Sequence, residues 1–259
     1  MKNHKLFLLK FGGSLITDKK TPYTARLDII RQLAQDFASA YKAQSNRRYI
    51  LGNGAGSFGH YAALHHDVKT PDGFAFIHEK VKELNEIFRA ELVRAGVLVR
   101  VFTGADILRL NDGKPVEISV DSLRSCLAEG IVPMVYGDVI PDEVRGGVIY
   151  STEMLFERIV QRLISEYSDV EILHLTTVAG FLDASHKVIP SVTRKNIAEL
   201  EQHFSATAGF DVTGGMKHKI EQSLQLADSG IRTRIVDGLI PDICQKIILA
   251  KESLGTTIS

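Results

Sequence analysis

Short apolar runs alternate with longer amphipathic stretches along this chain, and that alternation restricts it to a mainly parallel sheet covered by helices on both faces. Residues 5–10 are a Leu- and Phe-rich run that stops at Gly12-Gly13, the profile of a buried strand entering a loop. Over 26–42, Leu27, Ile30, Leu33, Ala34, Phe37 and Tyr41 recur at helical spacing. Tyr49-Ile50-Leu51 then reads as the next strand, running into a second glycine loop. The same reasoning predicts further helices over 78–95, 120–129, 154–167, 212–229 and 243–249. Strands are predicted over 97–102, 131–136, 170–176 and 231–236, with a hairpin arm over 144–150. The pattern is weakest over 180–205. A division near 165–175 separates residues 1–168 from residues 169–259 as two lobes on one continuous sheet.

Three glycine-bearing segments sit at transitions into helices: Lys10-Phe11-Gly12-Gly13-Ser14, the loop from Gly52 to His60, and Asp211-Val212-Thr213-Gly214-Gly215-Met216-Lys217-His218-Lys219. A backbone stripped of Cβ atoms brings its N–H groups against an anion, and a helix N-terminus favours negative charge. The first segment has neither the lysine placement of a P-loop nor the three-glycine dinucleotide fingerprint. Instead it sets Lys10 at the end of a strand, over a glycine turn, where its ammonium meets phosphates held by loop amides. The second segment closes on His60, read as opening a helix over 61–64 and adding a donor for a phosphate. Together the three describe an enzyme that handles phosphate.

Charge removes several other partners. The 31 basic and 31 acidic residues cancel, so no general attraction draws the chain to nucleic acid or acidic lipid. Cys126 and Cys244 are too few for a disulfide framework and lack metal-ligand spacing; two buried core thiols in a reducing cytoplasm are expected. The apolar run Leu6-Phe7-Leu8-Leu9 is interrupted by Lys10 and is too short for a signal peptide or a membrane span.

The combination K-x-G-G-S, G-x-G-S-F-G-H and D-V-T-G-G-M-x-x-K, in this order, resembles the amino acid kinase superfamily, and within it the isopentenyl phosphate kinase branch. The closing Gly255-Thr256 is similar to that family's ending. The resemblance implies a three-layer αβα sandwich, usually a homodimer, whose N-terminal lobe binds the acceptor and whose C-terminal lobe binds ATP and magnesium. By motif position it implies that Lys10 contacts the ATP phosphates and that the Gly12, Gly13 and Ser14 amides cradle them. Lys19 then stabilises the transferring phosphoryl group. Ala55 and Gly56 lie between acceptor and ATP, His60 holds the acceptor's phosphate beside Gly59 and Thr152, and Thr177, Gly215 and Lys219 belong to the nucleotide site. No metal ligand is assigned to the protein itself.

The chain departs from the family pattern at the glycine loop, which reads Asn53-Gly54-Ala55-Gly56 where the family has H-G-G-G. A Cβ at position 55 is expected to narrow the approach to whatever the loop holds. The family's S-G-D is Ser151-Thr152-Glu153 here, which makes Glu153 the candidate for orienting the two lysines on a longer arm. Both acids of T-D-V-D-G are absent from Thr176-Thr177-Val178-Ala179-Gly180. These changes keep two alternatives open: a fosfomycin-type phosphonate kinase, and a nucleotide- or metabolite-binding member with weakened turnover. A prenyl tail requires an apolar pocket, for which Phe74, Phe76, Ile77, Leu84, Ile87 and Phe88 are the candidates.

Overall fold

The computed structural model describes residues 2–43, 46–183, 185–204 and 215–259. Elements run β1 (Lys5–Phe11), α1 (Gly13–Ile16), α2 (Leu27–Lys42), β2 (Arg47–Asn53), α3 (Gly56–His65), α4 (Pro71–Arg94) and β3 (Val99–Val101). They continue through β4 (Leu108–Asn111), β5 (Lys114–Ile118), α5 (Asp121–Glu129), β6 (Val132–Tyr136), β7 (Asp138–Asp142), β8 (Gly146–Tyr150) and α6 (Thr152–Leu163). The last part holds β9 (Asp169–Thr176), β10 (Ser191–Val192), α7 (Ile197–Phe204), α8 (Gly215–Asp228), β11 (Arg232–Asp237), α9 (Ile243–Ile248) and β12 (Thr256–Ile258).

The main sheet has the order β10-β12-β11-β9-β1-β2-β6-β3, and a smaller sheet has the order β5-β4-β7-β8. Within the main sheet β11 and β12 alone run antiparallel. β1 shows why the sheet forms a middle layer. Phe7, Leu9 and Phe11 enter a core with residues of α2, α4 and α9, while Leu6 and Leu8 enter a second core with residues of α5 and α6. A strand buried on both faces has no reason to alternate apolar with polar, which is why it reads as a continuous apolar run. The expected αβα sandwich is the observed architecture.

The parallel strands also place the loops that matter. β9, β1, β2 and β6 are neighbours, and their C-terminal residues Thr176, Phe11, Asn53 and Tyr136 all lie at one edge of the sheet. Both glycine loops and the Gly137-Asp138 turn emerge there, outside the carboxyl ends of the strands, where ligands bind in open α/β sheets.

Candidate active site

Backbone bonds carry the strand pairing past the strand ends into the loops. Gly12 N–H donates to Leu175 O at 2.8 Å, Gly54 N–H to Phe11 O at 2.9 Å, and Gly137 N–H to Asn53 O at 3.1 Å. This draws the first two glycine segments into direct contact. A Cβ on Gly13 would stand 2.3 Å from the Gly56 nitrogen, and one on Gly54 would stand 2.7 Å from the Gly13 nitrogen. Gly56 has φ +51°, and a Cβ there would meet the Thr17 hydroxyl at 2.3 Å. Thr17 pins the junction: its hydroxyl donates to Gly13 O at 2.7 Å and accepts from Ser57 N at 3.0 Å. Two segments far apart in the chain therefore form one continuous junction.

Ala55 does not obstruct that junction as its Cβ led us to expect. Its backbone is in the right-handed helical region, the left-handed turn falls on Gly56, and its Cβ lies over Gly59. His60 needs a correction as well. It is the fifth residue of α3, which starts at Gly56, so the free N–H groups at the helix start belong to the glycine loop and His60 faces the site from one turn further on.

Two cavities meet at this edge. The first, of about 510 Å³, is lined by Gly54, Ala55, Gly56, Gly59, His60 and Thr152. The same cavity has an apolar lining: Ala63, Leu64, Ile77, Val81, Val139 and Ile149. Within that lining Leu64 and Ile149 keep 72% and 54% of their surface exposed, so the apolar wall is open to solvent there. Of the six side chains expected to form an apolar pocket, Ile77 alone does so. Leu84 and Phe88 belong to the main core with Ile87 packed against it, and Phe74 and Phe76 pack around Ala62, Ile77 and Val139. The second cavity, of about 270 Å³, is lined by Gly12, Gly13, Ser14, Lys19, Thr177, Val178 and Phe181, with Gln222, Ser223 and Leu226 of α8 opposite.

Lys10 and Glu153 line both cavities and form an ion pair across their junction. Side chains alternate between the two faces along β1, so Lys10 shares the face of Leu6 and Leu8 and points to the α6 side of the sheet. Glu153 stands in the first turn of α6, whose N-cap is the Ser151 hydroxyl accepting from Met154 N at 3.2 Å. Burial alone would raise the Glu153 carboxyl, but the Lys10 ammonium and His174 hold it down at about 2. Glu153 is therefore ionised at neutral pH. Glu153 contacts Lys10 and, among the described ion pairs, not Lys19.

Lys19 is exposed, on the loop between α1 and α2. That loop is held by Asp18, whose carboxylate accepts from Lys20 N at 2.9 Å and the Thr21 hydroxyl at 3.0 Å. Thr152 donates its hydroxyl to Asn53 O at 2.6 Å, so it braces the loop as well as lining the cavity. In the third glycine segment, Asp211 to Gly214 lie outside the described residues. At Gly215 and Lys219 the helical backbone is described and the side chains are not; Ser223, one turn after Lys219, lines the second cavity.

Sequence reasoning passed over His174, Gln222, Ser223 and Asp138, all of which line the cavities. A histidine inside the apolar run of β9 was the readable signal. Among the described residues no three His, Cys, Asp or Glu side chains gather as a metal cage. Glu153 and Glu157 line the second cavity, and a magnesium ion bound through phosphates asks for one or two carboxylates and keeps several waters.

The model of the amino acid kinase family matches residues 5–237. The chain belongs to the amino acid kinase family. This makes it a phosphotransferase of the kinase type. Among its relatives, the isopentenyl phosphate kinase of Haloferax volcanii is 34% identical over 85% of this chain and 88% of its own. That of Methanocaldococcus jannaschii is 30% identical over 83% and 85%. A solved structure described as isopentenyl phosphate kinase superposes with a TM-score of 0.80 at 25% identity, covering 98% of this chain and 100% of that one.

Proposed function

We propose that this kinase transfers the γ-phosphoryl group of ATP to isopentenyl phosphate, giving isopentenyl diphosphate and ADP. One observation carries the reading: two cavities of different character share Lys10 and Glu153, so a nucleotide in one and a phosphorylated acceptor in the other meet at a single ammonium group. An acceptor phosphate oxygen attacks the γ-phosphorus, the new P–O bond forms as the bond to the β-phosphate oxygen breaks, and ADP leaves with that electron pair. The acceptor oxygen is already ionised, so the step needs positioning and positive charge more than a base.

Roles follow the linings. The Gly13 and Ser14 amides hold the nucleotide phosphates, while the Gly12 N–H, expected to join them, is spent on Leu175 O; Lys10 and Lys19 offset the charge on the transferring group, Glu153 orients Lys10, and Gly56, in the first cavity's lining, is assigned to the junction of the two substrates. Gly59 and His60 hold the acceptor's phosphate, with Ala55 and Thr152 sharing that lining. Thr177, Gly215 and Lys219 are assigned to the nucleotide. Magnesium, carried on the ATP phosphates, supplies further positive charge there.

The first cavity is lined wholly by residues up to Glu153, whereas much of the second comes from residues beyond Ile172. This supports an acceptor lobe over 1–168 and a nucleotide lobe over 169–259. A homodimer working in the cytoplasm, in isoprenoid biosynthesis, completes the reading; both cysteines are buried and unpaired, as a reducing compartment allows.

The apolar lining of the first cavity favours a prenyl tail over a small polar phosphonate such as fosfomycin. Steady-state ADP release with both acceptors tests it. We expect kcat/KM for isopentenyl phosphate to exceed that for fosfomycin by about 100-fold or more, each buried methylene contributing about 0.8 kcal/mol. A preference for fosfomycin would contradict it, and binding without turnover of either would indicate a member that has lost activity.

A further inference from the structure

Two polar contacts fasten α4 to the strand ends beneath the first cavity's loops, and the transfer described above uses neither. His78 Nδ1 lies 3.1 and 3.0 Å from the two carboxylate oxygens of Asp138. Asn85 Nδ2 donates to Asn53 Oδ1 at 2.8 Å. Asp138, Asn53 and Asn85 are all buried. His78 and Asn85 are two helical turns apart on one face, the face that carries Val81 into the cavity beside Gly59.

Apolar side chains would bury that face more simply. Directional bonds do something packing does not: they fix the rotation and axial register of the helix. Of the far ends, Asp138 lines the cavity and Asn53 holds the loops that do. Asn53 O accepts from Gly137 N–H and from the Thr152 hydroxyl, and Asp138 follows Gly137 directly. The wall formed by Ile77 and Val81 is thereby locked to the loops that grip the acceptor's phosphate.

We infer that His78 is a positioning residue for the acceptor, its contact with Asp138 setting where the α4 wall stands against the acceptor's tail. The inference rests on the acceptor reading proposed above. It gives that site a pH dependence. The bond to Asp138 raises His78 above its ordinary value against the opposing effect of burial, with Asp138 and Glu79 favouring its charge and Lys82 disfavouring it. On the other side Tyr136, its phenol pushed up by burial and by Asp138, faces the same carboxylate, with Asp106 beyond. The native state favours the charged imidazole. The contact is therefore strongest below the ordinary histidine value and weakens as pH rises through the raised one.

The test compares wild type with His78→Ala, His78→Asn and the double variant His78→Ala/Asp138→Asn, reading KM and kcat across pH. Asparagine keeps a donor near the Nδ1 position and cannot be charged. In His78→Ala the acceptor KM should rise about tenfold, with kcat within about threefold and the KM for ATP unchanged. His78→Asn should stay near wild type at high pH and lack the wild-type rise in KM; titration of the acceptor's own phosphate is common to both and cancels in their ratio. The double variant removes the uncompensated carboxylate, supplies the readout in case His78→Ala fails to fold, and should keep the raised KM. An unchanged KM in His78→Ala, or a wild-type pH step retained in His78→Asn, overturns the inference. Calorimetric binding of isopentenyl phosphate separates the two readings: wild-type binding that His78→Ala does not weaken overturns this inference alone, whereas no wild-type binding overturns the acceptor reading and this inference with it.

Discussion

Lys10 is the residue on which both halves of the site depend. It is the next-to-last residue of a strand whose Leu6, Phe7, Leu8, Leu9 and Phe11 side chains are core, so its position is set by the packing of the sheet. Glu153 fixes its far end. Removing the ammonium leaves transition-state charge unopposed, and Lys10→Ala should lower kcat by about 100- to 1,000-fold. His60→Ala should instead raise the acceptor KM while kcat falls less, because His60 lines the first cavity alone. Steady-state kinetics beside a thermal melt checks both; equal kcat losses in the two variants, or unchanged kinetics in both, would contradict the assignment. Lys10 and His60 were legible because lysine after an apolar run and histidine after four glycines are conspicuous in one dimension. The Asn53–Asn85 and His78–Asp138 contacts were not, because each partner alone reads as an ordinary polar residue near a helix or a turn.

At the scale of elements, the interlocked glycine loops are the part of the structure with the least freedom. Gly13 has no room for a methyl group: its Cβ would meet the Gly56 backbone, which cannot swing aside as a side chain could. Gly13→Ala should cost about 1–3 kcal/mol through forced backbone movement, lowering the melting temperature by roughly 3–10 °C, and should abolish most activity by parting the loops. Calorimetry and ADP release check this, and an unaltered melting temperature with full activity would contradict the packing described.

The alternation of strands and helices was readable because buried parallel strands and amphipathic helices leave different periods. The β4–β5 hairpin was overlooked and the start of α4 misplaced, although the signals for both stand in the sequence. The β4–β5 hairpin turns at Asp112-Gly113, both with positive φ, the pairing such turns favour. α4 starts at Pro71, seven residues before the expected position, with Thr70 capping it through Gly73 N. The apolar face of α4 was legible, but periodicity says which face is buried and not what covers it. Hence Leu84 and Phe88 went to the core and Ile77 to the cavity.

Across the whole molecule, function follows from where a parallel sheet puts its loops. β9, β1, β2 and β6 deliver their C-terminal turns to one edge, and the central pair carries the glycines. One cavity that Lys10 lines includes an apolar wall, while the other includes residues of α8. The account makes these the seats of an acceptor's tail and of a nucleotide. Following wild-type protein with ATP, magnesium and isopentenyl phosphate by phosphorus NMR tests that claim most directly. The account predicts loss of the monophosphate signal and matched growth of ADP and a new diphosphate. An unchanged monophosphate, or ATP hydrolysed to free phosphate with no diphosphate formed, would contradict it.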